Sequence, residues 1–461
     1  MKKIWTKVIC IAGAALFMVG SLSACNKEVI SAYDIAVENG FVGTEAEWLA
    51  SLKGSDGTDA DSPDINEIYE AAKENGYKGS FLEFLKEYLD VNISEDNDTK
   101  QIAENVMSAV SVVCGFQKTV TVSSGIFGTK TETKNYASAG SGVIIDLNKE
   151  AGNAYVITNY HVIYDAASNA RNHISDEIYL YAYGAVRSFS LETNKDEGSD
   201  AMRATYVGGA MDYDIAILKI EGSEYLRESE CVAASIATSQ ETTVGEKVYV
   251  IGNPGGDGIS VTSGLLSVES EYITMYSTDS AERLVSHRVM RTDAAVNPGN
   301  SGGGLFNTRG QLIGITNAKS VEDGVDNICY AIPITLAKNL WENILDNGGV
   351  LKRAMLGVQV PVISATAVNE NGKLVVKETF IVGTTNIDKK AAAYKKLQYG
   401  DVFQSISVNG KAYELYREFD VEDILLTVRK GDTVVVNVLR DGKEERVTIR
   451  FDKDEYFTQY N

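Results

Sequence analysis

Three short polar clusters carry the residue types that nucleophilic acyl transfer requires. Thr158-Asn159-Tyr160-His161-Val162 directly follows an apolar run, and Asp212-Tyr213-Asp214-Ile215-Ala216 directly precedes one. The third, Asn297-Pro298-Gly299-Asn300-Ser301-Gly302-Gly303-Gly304-Leu305, is a glycine-rich turn. A serine hydroxyl is a poor nucleophile at its own pKa and needs a base beside it. An imidazole with a pKa near ~6.5 accepts that proton at neutral pH. A buried carboxylate then fixes the imidazole tautomer and stabilises the imidazolium that forms. His161, Asp214 and Ser301 supply these three types, each at the end of an expected strand. Stabilising the resulting oxyanion takes two backbone N–H groups aimed at one point, and Gly299 permits the unusual backbone path this needs. A glycine-rich turn alone is equally a plain connector; the two upstream clusters make it chemical. Of the other two histidines, His173 sits in a polar stretch and is expected in a loop. His287 precedes Arg288-Val289-Met290 and is expected on a strand face.

The elements around these clusters are short apolar runs: Val143-Ile144-Ile145, Tyr155-Val156-Ile157, Ile215-Ala216-Ile217-Leu218 and Val248-Tyr249-Val250-Ile251. Their length and β-branched content favour strands, and their number favours a β-barrel or sandwich. The 461 residues suggest about three domains, and 41 glycines against 5 prolines suit many strands joined by turns. A net charge of −21 repels phosphate backbones and argues against a nucleic-acid partner. Residues 166–205, with an acidic patch at 196–200, read as an exposed insertion between His161 and Asp214. Cys114 and Cys329 lie in apolar runs and are expected in cores. No disulfide framework is implied.

The N-terminus is an address. Lys2, Lys3 and Lys7 precede an apolar run from Val8 to Val19, too short to span ~30 Å of hydrocarbon and suited to a signal-peptide core. It ends in Leu22-Ser23-Ala24-Cys25, which resembles the lipobox of bacterial lipoproteins and implies acylation of Cys25. Residues 32–53 then recur at 68–89. Asn39-Gly40 and Asn75-Gly76 read as helix stops, and Thr44/Glu47 and Ser80/Glu83 as capping boxes. The repeats suit a spacer or a cell-wall binder. Asp56, Asp59, Asp61 and Asp64 read as a solvated linker, not a metal site.

Residues 105–340 resemble the HtrA/DegP family of chymotrypsin-fold serine proteases. The resemblance rests on Gly140-Ser141-Gly142-Val143-Ile144-Ile145, Val156-Ile157-Thr158-Asn159-Tyr160-His161-Val162 and Asp214-Ile215-Ala216-Ile217-Leu218-Lys219-Ile220. It continues through Ile251-Gly252-Asn253-Pro254-Gly255, Ser260-Val261-Thr262-Ser263-Gly264, residues 292–303 around Ser301, and Tyr330-Ala331-Ile332-Pro333-Ile334. It implies a mainly β chain with a double β-barrel. His161 would be the general base, Asp214 its orienting partner and Ser301 the nucleophile, with Gly299, Asn300 and Ser301 forming the oxyanion hole. Ala295 would lie near the floor of the P1 pocket, consistent with a small aliphatic residue there.

Residues 351–455 resemble a PDZ domain, with Leu356-Gly357-Val358 as the loop that receives a peptide carboxylate. Asp420 is expected to cap a helix bearing Val421, Ile424, Leu425 and Val428. Asp441-Gly442 is expected to turn a closing hairpin, and Phe380-Ile381-Val382 to form a strand. The stretch 361–377 before that strand departs from the pattern. The expected layout is a signal peptide (1–24), helical repeats (25–99), a protease domain (100–350) and a PDZ-like domain (351–461). The whole suggests a lipid-anchored extracytoplasmic endopeptidase acting on misfolded polypeptides and peptide C-termini. Neither metal nor organic cofactor is expected, and the family suggests a homotrimer. A polypeptide-binding chaperone or adaptor with little proteolysis is the competing reading, and an adhesin working through its repeats a third.

Overall fold

The computed structural model describes residue 73 and residues 95–123, 129–238, 243–319, 328–370 and 373–460. The expected signal peptide, the lipobox at Cys25 and nearly all of the repeats lie outside them. The chain divides into two units, Met1–Asn97 and Asp98–Asn461; all that follows concerns the second.

After helix α1 (Glu95–Val106), six strands close a barrel: β1 (Ala109–Ser123), β2 (Thr129–Asn148), β3 (Asn153–Thr158), β4 (Glu177–Ala182), β5 (Met202–Ala210) and β6 (Ile215–Ile220). Their order is β1-β2-β3-β6-β5-β4. The short helix α2 (Tyr160–Ile163) follows β3, and α3 (Glu224–Glu228) follows β6.

A second sheet follows, built from β7 (Ser235–Ile236), β8 (Lys247–Gly252), β9 (Ser260–Ser277), β10 (Ser280–Thr292), β11 (Gly304–Asn307), β12 (Gln311–Lys319) and β13 (Cys329–Pro333). Its order is β11-β8-β9-β10-β13-β12-β7, and pairing of β11 with β12 closes it into a second barrel with β7 attached. The chymotrypsin-like double barrel expected from the sequence is therefore present.

Alternation explains why these strands are apolar on both faces. Successive residues of a strand point to opposite sides of its sheet. In β6, Ala216, Leu218 and Ile220 fill the first barrel, whereas Ile215 and Ile217 join the core of the second. In β3, Val156 and Ile157 divide in the same way. The inner strands thus serve two cores at once, and the shared face places the strand ends that carry His161 and Asp214 beside the second barrel.

Residues 166–205 are not one exposed insertion. They contain β4, whose Ile178, Leu180 and Tyr181 are buried, and Asp196 in the acidic patch is itself buried. The strand was masked in sequence because polar loops flank only six residues of it. Cys114, Cys231 and Cys329 are all buried and none is in a disulfide, and burial pushes the Cys114 thiol up to about 12.

Helix α4 (Ile334–Asp346) buries Leu336, Ala337, Leu340, Trp341 and Ile344 on one face against the second barrel. The C-terminal module comprises β14 (Leu351–Ala354), β15 (Val362–Glu370), β16 (Lys373–Phe380), β17 (Val402–Val408), β18 (Lys411–Glu414), helix α5 (Glu418–Leu426), β19 (Thr433–Arg440), β20 (Lys443–Arg450) and β21 (Phe457–Tyr460). A four-stranded sheet β18-β17-β19-β20 packs on its own core, in which Phe380, Phe403, Ile406 and Val436 are buried. The departure at 361–377 is a separate hairpin, β15 with β16. Strand β16 ends at Phe380, and Ile381 makes only a single bridge to Val402.

Asp441 and Gly442 both take positive φ in the turn between β19 and β20, as the expected hairpin requires. Asp420 is not the cap of α5. It is the third helical residue, and its carboxylate accepts from the amides of Arg417, the N-cap, and Tyr416. Val428 lies beyond the helix but remains buried in the module core. Leu426, at its end, packs into the core of the second barrel.

Asn343 joins these parts. Its side chain is fully buried and donates to Leu426 O at 2.7 Å and Lys352 O at 3.0 Å, while accepting from Lys352 N at 2.9 Å. Replacing Asn343 by Leu leaves those buried groups unpaired and is expected to cost about 2–4 kcal/mol. Urea unfolding of the full chain checks this; a loss under about 0.5 kcal/mol contradicts it.

Candidate active site

His161 and Asp214 meet at the end of the first barrel. His161 lies in α2, immediately after β3, and Asp214 immediately before β6, which pairs with β3. A three-residue helical turn, Met211–Tyr213, delivers Asp214 in the left-handed conformation at φ 52°. That strained backbone is held from outside: Asn159 Nδ2 and Tyr160 N both donate to Asp214 O, at 2.9 and 3.2 Å. The carboxylate faces His161 twice, Oδ1 accepting from the His161 amide at 2.9 Å and Oδ2 lying 2.6 Å from Nδ1. An ionised carboxylate can only accept, so Nδ1 carries the proton and Nε2 is left as the basic nitrogen.

Burial of the imidazole lowers its pKa, and the charge and hydrogen bond of Asp214 raise it; the net direction is up from the usual 6.5. The side chain keeps 38% of its surface exposed, which weakens the burial effect relative to a buried carboxylate that is only 6% exposed.

Ser301 arrives from the second barrel, on the turn before β11. Two glycines bring it against the first barrel. A side chain on Gly140 would place its Cβ 2.6 Å from Val162 and 3.2 Å from Ser301 O, and one on Gly302 would lie 2.4 Å from Thr158 Oγ1 and 3.0 Å from Asn159 N. The serine turn is thus packed directly on the segment that carries His161. The hydroxyl itself points elsewhere: Ser301 Oγ donates to Asn317 O at 2.9 Å. No hydrogen bond joins it to the His161 ring among the described residues.

Gly299 has φ +100°, and a Cβ there would stand 2.2 Å from Asn253 O. The loop around 253–256 encloses it, with Gly255 N donating to Pro298 O at 2.8 Å. Asn300 is buried and its amide donates to Asn297 O at 3.0 Å. The amides of Gly299 and Ser301 donate to no group among the described residues. Two free donors flank an amide already in use. Ala295 is exposed, and its carbonyl accepts from Thr262 Oγ1; its neighbours Ala294 and Val296 are both buried.

Neither remaining histidine hydrogen-bonds to Asp214 or Ser301 among the described residues. His173 Nδ1 lies 2.9 Å from Ser168 O in a loop. His287 is buried on β10, where burial lowers its pKa against the opposing charges of Asp214 and Asp212. In the C-terminal module the amides of Leu356, Gly357 and Val358 donate to nothing among the described residues, while Leu356 O accepts from Ala393 N.

Sequence reasoning missed three participants. Ser141 donates through Oγ to Gly299 O at 2.7 Å and accepts from Asn253 N at 2.8 Å. Its position between Gly140 and Gly142, neither of which has room for a side chain, was the available signal. Asn317, whose carbonyl holds Ser301, had none. The third is Tyr213, next to Asp214: its hydroxyl receives Arg353 Nη1 at 2.6 Å and donates to Glu422 at 3.2 Å, while Arg353 pairs with Glu422. The C-terminal module therefore grips the residue beside Asp214. A cavity of about 190 Å³ lies there, lined among others by Tyr213, His287, Arg288 and Tyr460.

A serine-bearing turn with two free amides, packed against the segment of an imidazole–carboxylate pair, is an arrangement that can perform acyl transfer. Comparison with known proteins decides the family. A trypsin-like peptidase domain model matches residues 140–315. The Serine protease Do-like HtrA of Lactococcus lactis subsp. cremoris is 31% identical over 381 residues, covering 79% of this chain and 84% of that protein. The chain belongs to the HtrA family of serine proteases.

The Bacillus subtilis Serine protease Do-like HtrA is 30% identical, covering 78% of this chain and 75% of its own. The Periplasmic serine endoprotease DegP of Escherichia coli (strain K12) is 30% identical over 319 residues, covering 69% and 58% respectively. This HtrA-family chain is a serine endopeptidase.

The geometry of Gly299 generates a direct expectation. Gly299→Ala forces the turn off its path and misaims one amide. Peptide hydrolysis is expected to fall at least about 100-fold, the scale of losing one such donor, with the thermal midpoint within a few degrees of the parent. Retention of a third or more of the activity contradicts the role of this turn.

Proposed function

We propose that this chain cleaves exposed or misfolded polypeptides through His161, Asp214 and Ser301, outside the cytoplasm and anchored by acylated Cys25. The observation that carries the catalytic assignment is the His161–Asp214 pair, built so that Nε2 alone remains basic. Ser301 Oγ leaves Asn317 O by rotation about its Cα–Cβ bond and turns to Nε2. As it attacks the scissile carbonyl its proton passes to His161, and the oxyanion of the tetrahedral intermediate is received by the amides of Gly299 and Ser301. His161 returns the proton to the departing amine, leaving an ester on Ser301. Water, deprotonated by the same imidazole, hydrolyses the ester and restores the hydroxyl. Chain, substrate and one water balance these steps.

The resting position of Ser301 means the nucleophile is not yet engaged. Substrate occupying the cleft is the event that draws the hydroxyl to His161. Ala295 borders the P1 site, and its uncharged side chain suits a small aliphatic residue over lysine or arginine. The C-terminal module is a PDZ-like domain, a reading supported by the three unengaged amides at Leu356, Gly357 and Val358. Backbone donors of this kind receive a terminal carboxylate while the peptide adds as a strand. Assembly as a homotrimer and membrane attachment complete the reading. Cys25 needs a second acyl chain for stable attachment, since one gives marginal binding.

Casein hydrolysis by the full chain, with a hydrophobic C-terminal peptide as activator, tests the reading. Ser301→Ala is expected to abolish hydrolysis. Persistent cleavage by that variant overturns the assignment; an inactive parent that holds casein soluble favours the chaperone alternative.

Protonated His161 cannot accept a proton, so activity is lost as pH falls through its pKa. Because Asp214 raises that pKa, the acid limb of kcat/KM is expected to have its midpoint above 6.5. Asp214→Asn is expected to cut the rate about 10³–10⁴-fold and move the midpoint down. A midpoint near or below 6, or one unmoved by Asp214→Asn, contradicts the pairing.

A further inference from the structure

The oxyanion turn does not stand alone. Its outer support is the loop at 253–258, which meets it at two points: Asn253 O faces Gly299 and Gly255 N donates to Pro298 O at 2.8 Å. The inner end of that loop is tied down, since Asn253 N donates to Ser141 Oγ and Asn253 Oδ1 accepts from Gly258 N at 2.7 Å. Its outer end contains three positive-φ glycines, Gly255, Gly256 and Gly258. Gly256 N donates within the loop to Asn253 O at 3.1 Å, but glycine explores more backbone conformations than any other residue, so a contact from outside adds to the order of this stretch. Among the described residues one side chain from elsewhere hydrogen-bonds to this outer end. Arg187 donates from Nη1 to the carbonyl of Gly256, sixty-nine residues away in sequence.

The segment that carries Arg187 is built to hold it. The guanidinium lies over the ring of Tyr181, 5.7 Å from its centroid, and Tyr181 is only 1% exposed. Tyr181 is locked in turn by a hydrogen bond from its hydroxyl to Asp196 Oδ2. Asp196, itself buried, also accepts from Ser188 N at 3.0 Å and Gly198 N at 2.7 Å. Asp200 accepts from Val186 N at 2.8 Å, fixing the residue before Arg187. Four anchored points thus aim one cation at one carbonyl. Arg187 forms no ion pair with a carboxylate among the described residues, so its engaged partner is the loop beneath the oxyanion turn.

We propose that Arg187 is a positioning residue for catalysis: it braces the 253–258 loop from outside and thereby holds Pro298–Gly299 with the amides of Gly299 and Ser301 aimed together. The proposal rests on those two amides being the oxyanion donors. A planar, permanently charged guanidinium held over a locked tyrosine is suited to this, because its direction is set before substrate arrives. A brace of this kind contributes only where the aim of the donors matters, which is the transition state and not the bound substrate.

The test uses the full chain carrying Arg187→Ala, Arg187→Lys or Arg203→Ala, the last removing an exposed arginine of β5 paired with Glu177. For each, kcat and KM on a peptide amide are measured beside the inhibition constant of a matched peptide boronate, whose tetrahedral adduct places an oxygen where the oxyanion forms. Thermal unfolding confirms that each variant is folded. Arg187→Ala is expected to lower kcat about 10–100-fold and weaken the boronate in proportion, with KM within about 3-fold. Arg187→Lys is expected to recover part of both, and Arg203→Ala to match the parent.

Unchanged kcat and boronate affinity in Arg187→Ala overturn the proposal, as does a loss that appears in KM alone. Ser301→Ala distinguishes the two levels. If it abolishes hydrolysis while Arg187→Ala is silent, only the bracing role fails. If it leaves hydrolysis intact, the catalytic reading fails and takes this proposal with it.

Discussion

The two barrels meet in a working order because of one buried serine. Ser141 is fully buried and uses its side chain and its amide across the junction, and its carbonyl within the first barrel. Its amide donates to Ser301 O at 2.8 Å, its carbonyl accepts Thr158 Oγ1 at 2.7 Å, and its hydroxyl connects Gly299 O with Asn253 N. One residue therefore touches the backbone of Ser301, the turn of free amides, the loop that supports that turn, and the strand leading to His161. A buried network of this kind is rigid when complete and costly when one member is missing, because each orphaned group forfeits its hydration without return. The packing has no slack either: the glycines on both sides of Ser141 abut neighbouring side chains closely enough to exclude any Cβ.

From that junction two kinds of order spread outward. On the first barrel the order is electrostatic. Asp214 is strained into a left-handed conformation, and its carbonyl and carboxylate are both used to keep the chain and the imidazole in place. On the second barrel it is conformational, a run of glycines held by contacts from outside. The C-terminal module adds to the first kind through Tyr213, Arg353 and Glu422. There the residue beside Asp214 is gripped by two charged groups from α5 and β14, and the buried Arg288–Asp423 pair closes the same contact. Burial of Asp423, opposed by Arg288, raises its carboxyl to about 6.

Much of this was legible in the sequence, for particular reasons. His161, Asp214 and Ser301 were legible as candidates because chemistry restricts residue type and because each sits against an apolar run whose pattern marks a strand; the structure joins His161 to Asp214. Gly299 was legible because an unusual backbone path has few alternatives to glycine. The closing hairpin at Asp441-Gly442 was legible for the same reason. What escaped notice is non-local. Strand β4 hid inside an acidic stretch, since six residues give period-two alternation little room. Asp420 looked like a helix cap by type, but its role depends on where Arg417 begins the helix. Nothing in the sequence says that Asn317 holds Ser301 or that Tyr213 meets Arg353 and Glu422, because these pairings exist only once the barrels and the module are packed.

The account stands or falls on Ser301 being the reactive nucleophile despite its resting bond to Asn317. Mass-spectrometric mapping of a fluorophosphonate adduct on the full chain, in the presence of an activating peptide, addresses that point directly. The account predicts one phosphonyl group per chain, located on the fragment containing Ser301 and formed more slowly as His161 protonates. An adduct on another residue, or labelling at Ser301 that is indifferent to pH, would contradict it.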